Sequence, residues 1–207
     1  MHLKSSLTTL ATVAALAQLS ACGGSEAAAQ TPSFTLISPD LASGSFTNQF
    51  IANGFGCTGG NVSPALEWRN APAGTRSFAL TMYDPDAPTG SGFWHWAVYN
   101  IPGNVSGLVQ GAGNASAKLP IPAFGGSNDF QDTGVNGVNG NYGGPCPPAG
   151  DSSHRYIFTI YALAVEDVAT AGGVPKTGTA ALYGFLLNKG LSNQVLGTAS
   201  FTATYAR

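Results

Sequence analysis

Two of the chain's three histidines sit inside short, dense motifs. His95 belongs to Phe93-Trp94-His95-Trp96, which follows Asp84-Pro85-Asp86-Ala87-Pro88. His154 opens His154-Arg155-Tyr156, shortly after Gly144-Pro145-Cys146-Pro147-Pro148. Only 9% of the residues are charged, so this gathering of carboxylates, imidazoles, a guanidinium and a phenol reads as one small-ligand site. Ionised aspartates repel an anion. An anionic ligand must therefore meet His95, His154 and Tyr156, while Asp84 and Asp86 orient or charge the imidazoles or meet a cationic part of the ligand. Pro85 fixes its own φ, and the prolines at 85 and 88 push Asp84 and Ala87 out of helical geometry, which stiffens the wall that carries the carboxylates. Other chemistries fit less well. Two imidazoles and two carboxylates suit zinc- or manganese-assisted hydrolysis, but no His-Glu-x-x-His pattern occurs and the one close ligand pair is Asp84 and Asp86. No Gly-x-Ser-x-Gly elbow marks a nucleophilic serine. A protein-interaction or inhibitor module using the pocket rim remains a further alternative, with no partner legible. No metal or cofactor is expected.

The elements that must position these residues are mostly strands. Phe78, Leu80 and Met82 alternate with Ala79, Thr81 and Tyr83 up to the Asp-Pro-Asp turn, the pattern of a half-buried strand. Residues 93–101 form a second run, in which alternation puts His95, Ala97 and Tyr99 on one face and Trp94, Trp96 and Val98 on the other. In a third run, residues 155–163, Tyr156, Phe158 and Ile160 share a side, with His154 in phase at its entrance. Asp84, His95, His154 and Tyr156 are thereby expected along one rim. Arg155 alternates away from it, towards an ion pair or an aromatic stack. A last strand is expected at 200–205. One helix is expected over residues 179–191, with Lys189-Gly190 as its stop. Residues 134–143 place glycine every third residue and read as a loop beside the site, with Tyr142 over its mouth.

The N-terminus has the order of an export signal: Lys4, a weakly apolar stretch over residues 7–19, then Leu19-Ser20-Ala21-Cys22. The last four resemble a bacterial lipobox. Residues 1–21 are accordingly expected to be a signal peptide, Cys22 the lipidated residue, 22–33 a flexible tether and 34–207 one domain. The chain is expected to be exported and lipid-anchored to a bacterial membrane, periplasmic or at the cell surface, with that anchor its membrane contact. A net charge of -2 supplies no basic field for nucleic acid. With 28 Gly, 13 Pro and 43% hydrophobic residues, the composition is that of a loop-rich, packed β protein. With Cys22 lipidated, Cys57 and Cys146 remain, either as a disulfide or as two buried thiols.

Several segments resemble the phosphatidylethanolamine-binding protein (PEBP) family, in its bacterial Raf-kinase-inhibitor-like branch. They are the run from Gly56-Cys57-Thr58-Gly59-Gly60-Asn61 to Glu67-Trp68, then Tyr83-Asp84-Pro85-Asp86-Ala87-Pro88, His95-Trp96-Ala97-Val98-Tyr99-Asn100-Ile101-Pro102, Asn128-Asp129-Phe130, and the proline-rich and His154-Arg155-Tyr156 motifs. The resemblance implies a mainly β fold: a large central antiparallel sheet, a second smaller sheet and a few peripheral helices. It also implies a non-catalytic pocket for a small phosphorylated or anionic ligand, lined by Asp84, Asp86, His95, His154 and Tyr156, with Gly144, Pro145 and Cys146 in the loop that forms one wall. A zwitterion such as phosphoethanolamine suits both the acidic and the basic half of that set. Thr58 stands where the family often has aspartate, and the glycine-triplet loop is longer than usual; both departures lie near the expected mouth.

Overall fold

A computed structural model describes residues 32–114, 118–130 and 141–207. The expected signal peptide, Cys22, the tether up to residue 31 and most of the glycine-triplet loop lie outside the described residues.

The long alternating runs fold as strands of one sheet. They are β5 (Ser77–Asp84), β6 (Phe93–Pro102), β9 (His154–Leu163) and β10 (Val195–Tyr205). With β8 (Phe124–Gly125) they form a five-stranded sheet in the order β10-β9-β5-β6-β8, antiparallel at every pairing. A smaller antiparallel sheet joins β1 (Thr35–Ile37), β4 (Leu66–Arg69) and β7 (Gly107–Leu108), and β2 (Asn53–Gly54) pairs with β3 (Cys57–Thr58). The expected mainly β architecture is what the chain adopts.

β5 is central and, unlike the expectation of a half-buried strand, is covered on both faces. On one face Phe78, Leu80 and Met82 join Trp96, Val98, Tyr156, Phe158 and Ile160, and pack against Leu36, Leu66, Trp68 and Leu108 of the small sheet. On the other face the small side chains of Ala79 and Ala97 admit α1 (Val168–Gly172) and α2 (Ala180–Phe185). There Tyr183 stacks on Tyr99 with ring centroids 4.0 Å apart. A central strand covered by layers on both sides has no polar face to display.

The Thr179 side chain caps α2 by accepting from the Leu182 amide at 3.2 Å. The expected helix over 179–191 is α-helical as far as Phe185 and continues as a π-helical turn, Leu186–Gly190. At the far end of the chain, β10 extends the expected last strand by starting at Val195.

Candidate functional site

Asp84 ends β5 and His154 begins β9, which pairs with β5, so the two side chains meet at one end of the large sheet. Asp84 is fully engaged there. Its Oδ1 accepts from the backbone amides of Asp86 at 2.8 Å and Ala87 at 3.1 Å, the local bonding that makes aspartate a turn former. Its Oδ2 accepts from His154 Nδ1 at 2.8 Å. His154 Nε2 lies 3.4 Å from Asp151 Oδ2. Desolvation pulls the His154 pKa down, but the hydrogen bonds and charges of Asp84 and Asp151 outweigh it and the net shift is upward. His154 is buried with a carboxylate beside each ring nitrogen, surroundings that favour its charged form.

His95 reaches the site through a break in register. β5 pairs Met82 with Trp96 and then Tyr83 with Trp94, which leaves His95 as the extra residue of a bulge. Strict alternation predicted His95 on the face of Ala97 and Tyr99, and Trp94 with Trp96. Instead the His95 ring meets Tyr156 edge-on at 5.1 Å, and Trp94 packs with the Ala97 and Tyr99 cluster while Trp96 stays in the other core. His95 Nδ1 donates to the Gly143 carbonyl at 2.9 Å, since a carbonyl only accepts. The His95 carbonyl accepts from Gly143 N at 3.0 Å and Asn128 Nδ2 at 3.3 Å. A side chain on Gly143 would run into the Phe130 ring, so this close approach requires glycine. Desolvation lowers the His95 pKa to about 4, against the opposing pull of Gly143 and Asp84. His95 is therefore neutral at pH 7, with its proton on Nδ1 and the Nε2 lone pair left for the pocket.

Tyr156 lies beneath both imidazoles, fully buried, with its hydroxyl beside the Asp84 carboxylate. Desolvation, with the nearby Asp84 charge, raises its pKa, so the hydroxyl stays protonated.

Asp86 does not share the site. Both of its oxygens are taken by Arg155, through Nε at 2.9 Å and Nη2 at 2.7 Å, and Oδ2 also accepts from the Arg155 backbone amide at 2.9 Å. Those bonds hold the Asp86 pKa down to about 2. The expected ligand role of Asp86 is thus replaced by a bidentate ion pair that ties the Asp-Pro-Asp turn to β9, and Arg155 has the structural role its phase predicted.

Gly144 and Pro145 sit behind the wall: Gly144 N donates to Asn61 Oδ1 at 2.8 Å, and the Pro145 carbonyl accepts from Ala52 N at 3.0 Å. Cys146 does face the pocket and forms a disulfide with Cys57, with Cα atoms 6.0 Å apart. Tyr142, expected over the mouth, is fully buried, edge-on to Trp96 and bonded through its hydroxyl to the Phe50 carbonyl at 2.7 Å.

These residues close a cavity of ≈ 360 Å³. Asp84, His95, His154, Tyr156 and Cys146 line it, as do Pro147 and Pro148. So do Phe55, Phe93, Phe130 and Arg207, which sequence reasoning did not single out for the site. Phe130 had a signal in its Asn128-Asp129-Phe130 motif, whereas Phe55 and Arg207 had none. Among the described residues no three His, Cys, Asp or Glu side chains converge as metal ligands.

Residues 42–206 match the sequence profile of the phosphatidylethanolamine-binding protein family. The chain belongs to that family. Within the PEBP family it is similar to the UPF0098 protein YbcL of Escherichia coli (strain K12), 44% identical over 86% of this chain and 90% of YbcL. It is also similar to the UPF0098 protein YbhB of the same organism, 41% identical over 83% of this chain and 99% of YbhB. The crystal structure of E. coli YbcL, described as a new member of the mammalian PEBP family, superposes with a TM-score of 0.72 at 41% identity, covering 84% of this chain and 98% of that one. A more distant relative, 40% identical over 63% of this chain and 56% of its own length, is the Mycobacterium tuberculosis protein named "Putative lipoprotein LppC". The PEBP fold brings three widely separated motifs, the Asp84 turn, the His95 bulge and the His154 strand start, to one end of one sheet.

Proposed function

We propose that this PEBP-family chain binds a small phosphorylated or otherwise anionic molecule, without transforming it, in the pocket at the Asp84–His154 end of the large sheet. The observation that carries the reading is the pair of imidazoles lining one cavity, His154 held through Nδ1 by Asp84 at 2.8 Å and His95 through Nδ1 by the Gly143 carbonyl at 2.9 Å. The carboxylates beside His154 raise its pKa and favour its charged form, whose Nε2–H is a donor with Asp151 Oδ2 at 3.4 Å. His95 Nε2 is an acceptor, fixed as such by the Nδ1 bond to Gly143. A phosphate monoester monoanion matches both: its bare oxygens accept from His154 and its P–OH donates to His95. Asp84 has spent both oxygens on the turn and on His154, so its part is to charge and aim that imidazole. An ammonium on the ligand, as in phosphoethanolamine, would find its carboxylate in Asp151, whose side chain is 42% exposed. Catalysis is not part of this reading.

The same reading includes export and lipid anchoring at Cys22. It is supported by the lipobox-like Leu19-Ser20-Ala21-Cys22, by the Cys57–Cys146 disulfide, a bond at home in oxidising compartments, and by the name of the mycobacterial relative.

The test is calorimetric titration of phosphoethanolamine into the purified protein with chelator present. His95→Asn keeps an N–H for the Gly143 carbonyl and deletes Nε2. Saturable binding that this variant loses supports the pocket, as does affinity that falls when pH rises through the elevated His154 pKa. Absence of binding by the native protein, or equal affinity in the variant, refutes the reading.

A further inference from the structure

The motif from Gly56 to Trp68 places no side chain on the cavity, but one of its residues reaches the site from behind. Asn61 is 4% exposed and holds φ 48°, the left-handed region that asparagine tolerates better than most side chains. Its backbone is fixed on both sides: the amide donates to the Ile51 carbonyl at 2.9 Å, and the carbonyl accepts from Asn114 Nδ2 at 2.6 Å. The side chain lies along the segment that carries Gly143. Nδ2 donates to the Tyr142 carbonyl at 3.2 Å, and Oδ1 accepts from the Gly144 amide at 2.8 Å. A carbonyl only accepts and an N–H only donates, so these two partners fix which end of the carboxamide is which.

The Gly143 C=O and the Gly144 N–H belong to one peptide unit, and in a trans peptide they point to opposite sides of it. One side meets His95 Nδ1 and the other meets Asn61 Oδ1. The unit joins two glycines because both approaches are close: a Cβ on Gly143 would run into the Phe130 ring, and one on Gly144 into the Phe50 carbonyl. Two glycines leave the plane of the peptide between them easy to turn over. Turned over, it would offer an N–H to His95 Nδ1, which would then have to accept, and the proton of the neutral ring would sit on Nε2. Asn61 opposes that state, since the turned plane would set the Gly143 oxygen against the Asn61 oxygen.

We propose that Asn61 is a positioning residue of the pocket: by holding the Gly144 N–H it keeps the Gly143 carbonyl on His95 Nδ1, and so dictates that His95 turns a bare Nε2 to the cavity. Asn61 touches neither the cavity nor a ligand and acts through one peptide plane. The tautomer follows from the hydrogen-bond geometry alone, whereas its use by a ligand rests on the reading that the pocket takes a small anion.

The experiment records long-range proton–nitrogen correlation spectra of histidine-labelled protein at pH 7, which report the proton on each ring nitrogen, and titrates phosphoethanolamine into the same samples. Besides the native protein it uses three variants. Asn61→Gly suits the left-handed backbone and deletes the carboxamide. Asn61→Asp keeps an acceptor for the Gly144 N–H. Tyr142→Phe removes the bond to the Phe50 carbonyl from the same segment and leaves the Gly143–Gly144 peptide alone. The native ring should carry its proton on Nδ1. In Asn61→Gly the ratio of the Nδ1–H to the Nε2–H form should fall by about fivefold or more, the scale of losing one hydrogen bond, and phosphoethanolamine affinity should fall with it. Asn61→Asp should retain the native tautomer. Tyr142→Phe should retain it too, although its unfolding midpoint drops. A native His95 protonated on Nε2 overturns the proposal without any variant, as does an Asn61→Gly ring with the native tautomer, or a Tyr142→Phe ring that shifts as far as that of Asn61→Gly. A tautomer that responds to Asn61→Gly while phosphoethanolamine fails to bind the native protein upholds the positioning role and refutes the anion-pocket reading.

Discussion

The neutral state of His95 has a consequence for acid stability that can be worked through. In the unfolded chain an exposed histidine titrates near 6.5, while in the fold burial holds His95 near 4. Between these values the unfolded chain takes up a proton that the folded chain refuses. The His95 contribution is therefore constant above about pH 6.5 and is lost as pH falls towards 4. At about 1.4 kcal/mol per pKa unit the full window amounts to about 3 kcal/mol, and the step from pH 7 to pH 5 to about 2 kcal/mol. His154 has the opposite sign. Its raised pKa gives a contribution that is complete below about 6.5 and is lost as pH rises through the raised value. The perturbation that separates the two is His95→Asn, which keeps a donor for the Gly143 carbonyl and removes the titration. Urea unfolding followed by tryptophan fluorescence at pH 5, 6 and 7, without reductant, gives stability against pH for both proteins. The native protein should lose about 2 kcal/mol more than the variant between pH 7 and pH 5. Parallel curves, or a His95 imidazole seen by NMR to titrate at 6.5 or above in the folded protein, would refute the assignment of a neutral, Nδ1-protonated ring.

Two other perturbations test the same network. Asp84→Asn keeps a carbonyl oxygen for the Asp86 and Ala87 amides but withdraws the charge from His154; stability should fall by about 1–3 kcal/mol and the His154 pKa should drop below that of the native protein, so an unchanged NMR titration of His154 would contradict the ion pair. Reducing the Cys57–Cys146 bond, which spans 89 residues, should lower stability by about 4–5 kcal/mol in the chain-entropy account; a denaturant midpoint that hardly moves would mean that the bond does not restrict the unfolded chain.

What the sequence made legible was periodic or local. The alternation of Phe78, Leu80 and Met82 located β5, the phase of His154 and Tyr156 placed both at the site, and the same phase sent Arg155 elsewhere. Motif order was enough for the family and for the gathering of Asp84, His95 and His154. What was not legible depended on single residues that interrupt a period or on pairings distant in sequence. The bulge at His95 reverses the face of every residue on one side of it, so the aromatic run read Trp94 and His95 onto the wrong sides. Asp84 and Asp86 look equivalent in a Pro-spaced turn. They differ in fate because one faces the start of β9 and the other faces an arginine one residue further along it. The partnership of Phe55 and Arg207 spans 152 positions, and no local pattern announces it.

The bulge also accounts for the electrostatics of the site. A regular β6 would carry His95 on the helix-covered face with Ala97 and Tyr99, away from Asp84 and His154. One inserted residue instead turns the imidazole into the pocket, where the Gly143 carbonyl fixes its proton and desolvation removes its charge. Two histidines then stand at one sheet end with their pKa values pushed in opposite directions, His154 up and His95 down. That difference is created by their neighbours, Asp84 for one and a backbone carbonyl for the other, and two histidines in like surroundings would lack it. Under the proposed function, a pocket built this way would favour a ligand that both accepts and donates over a simple anion, because only the former satisfies both rings at once.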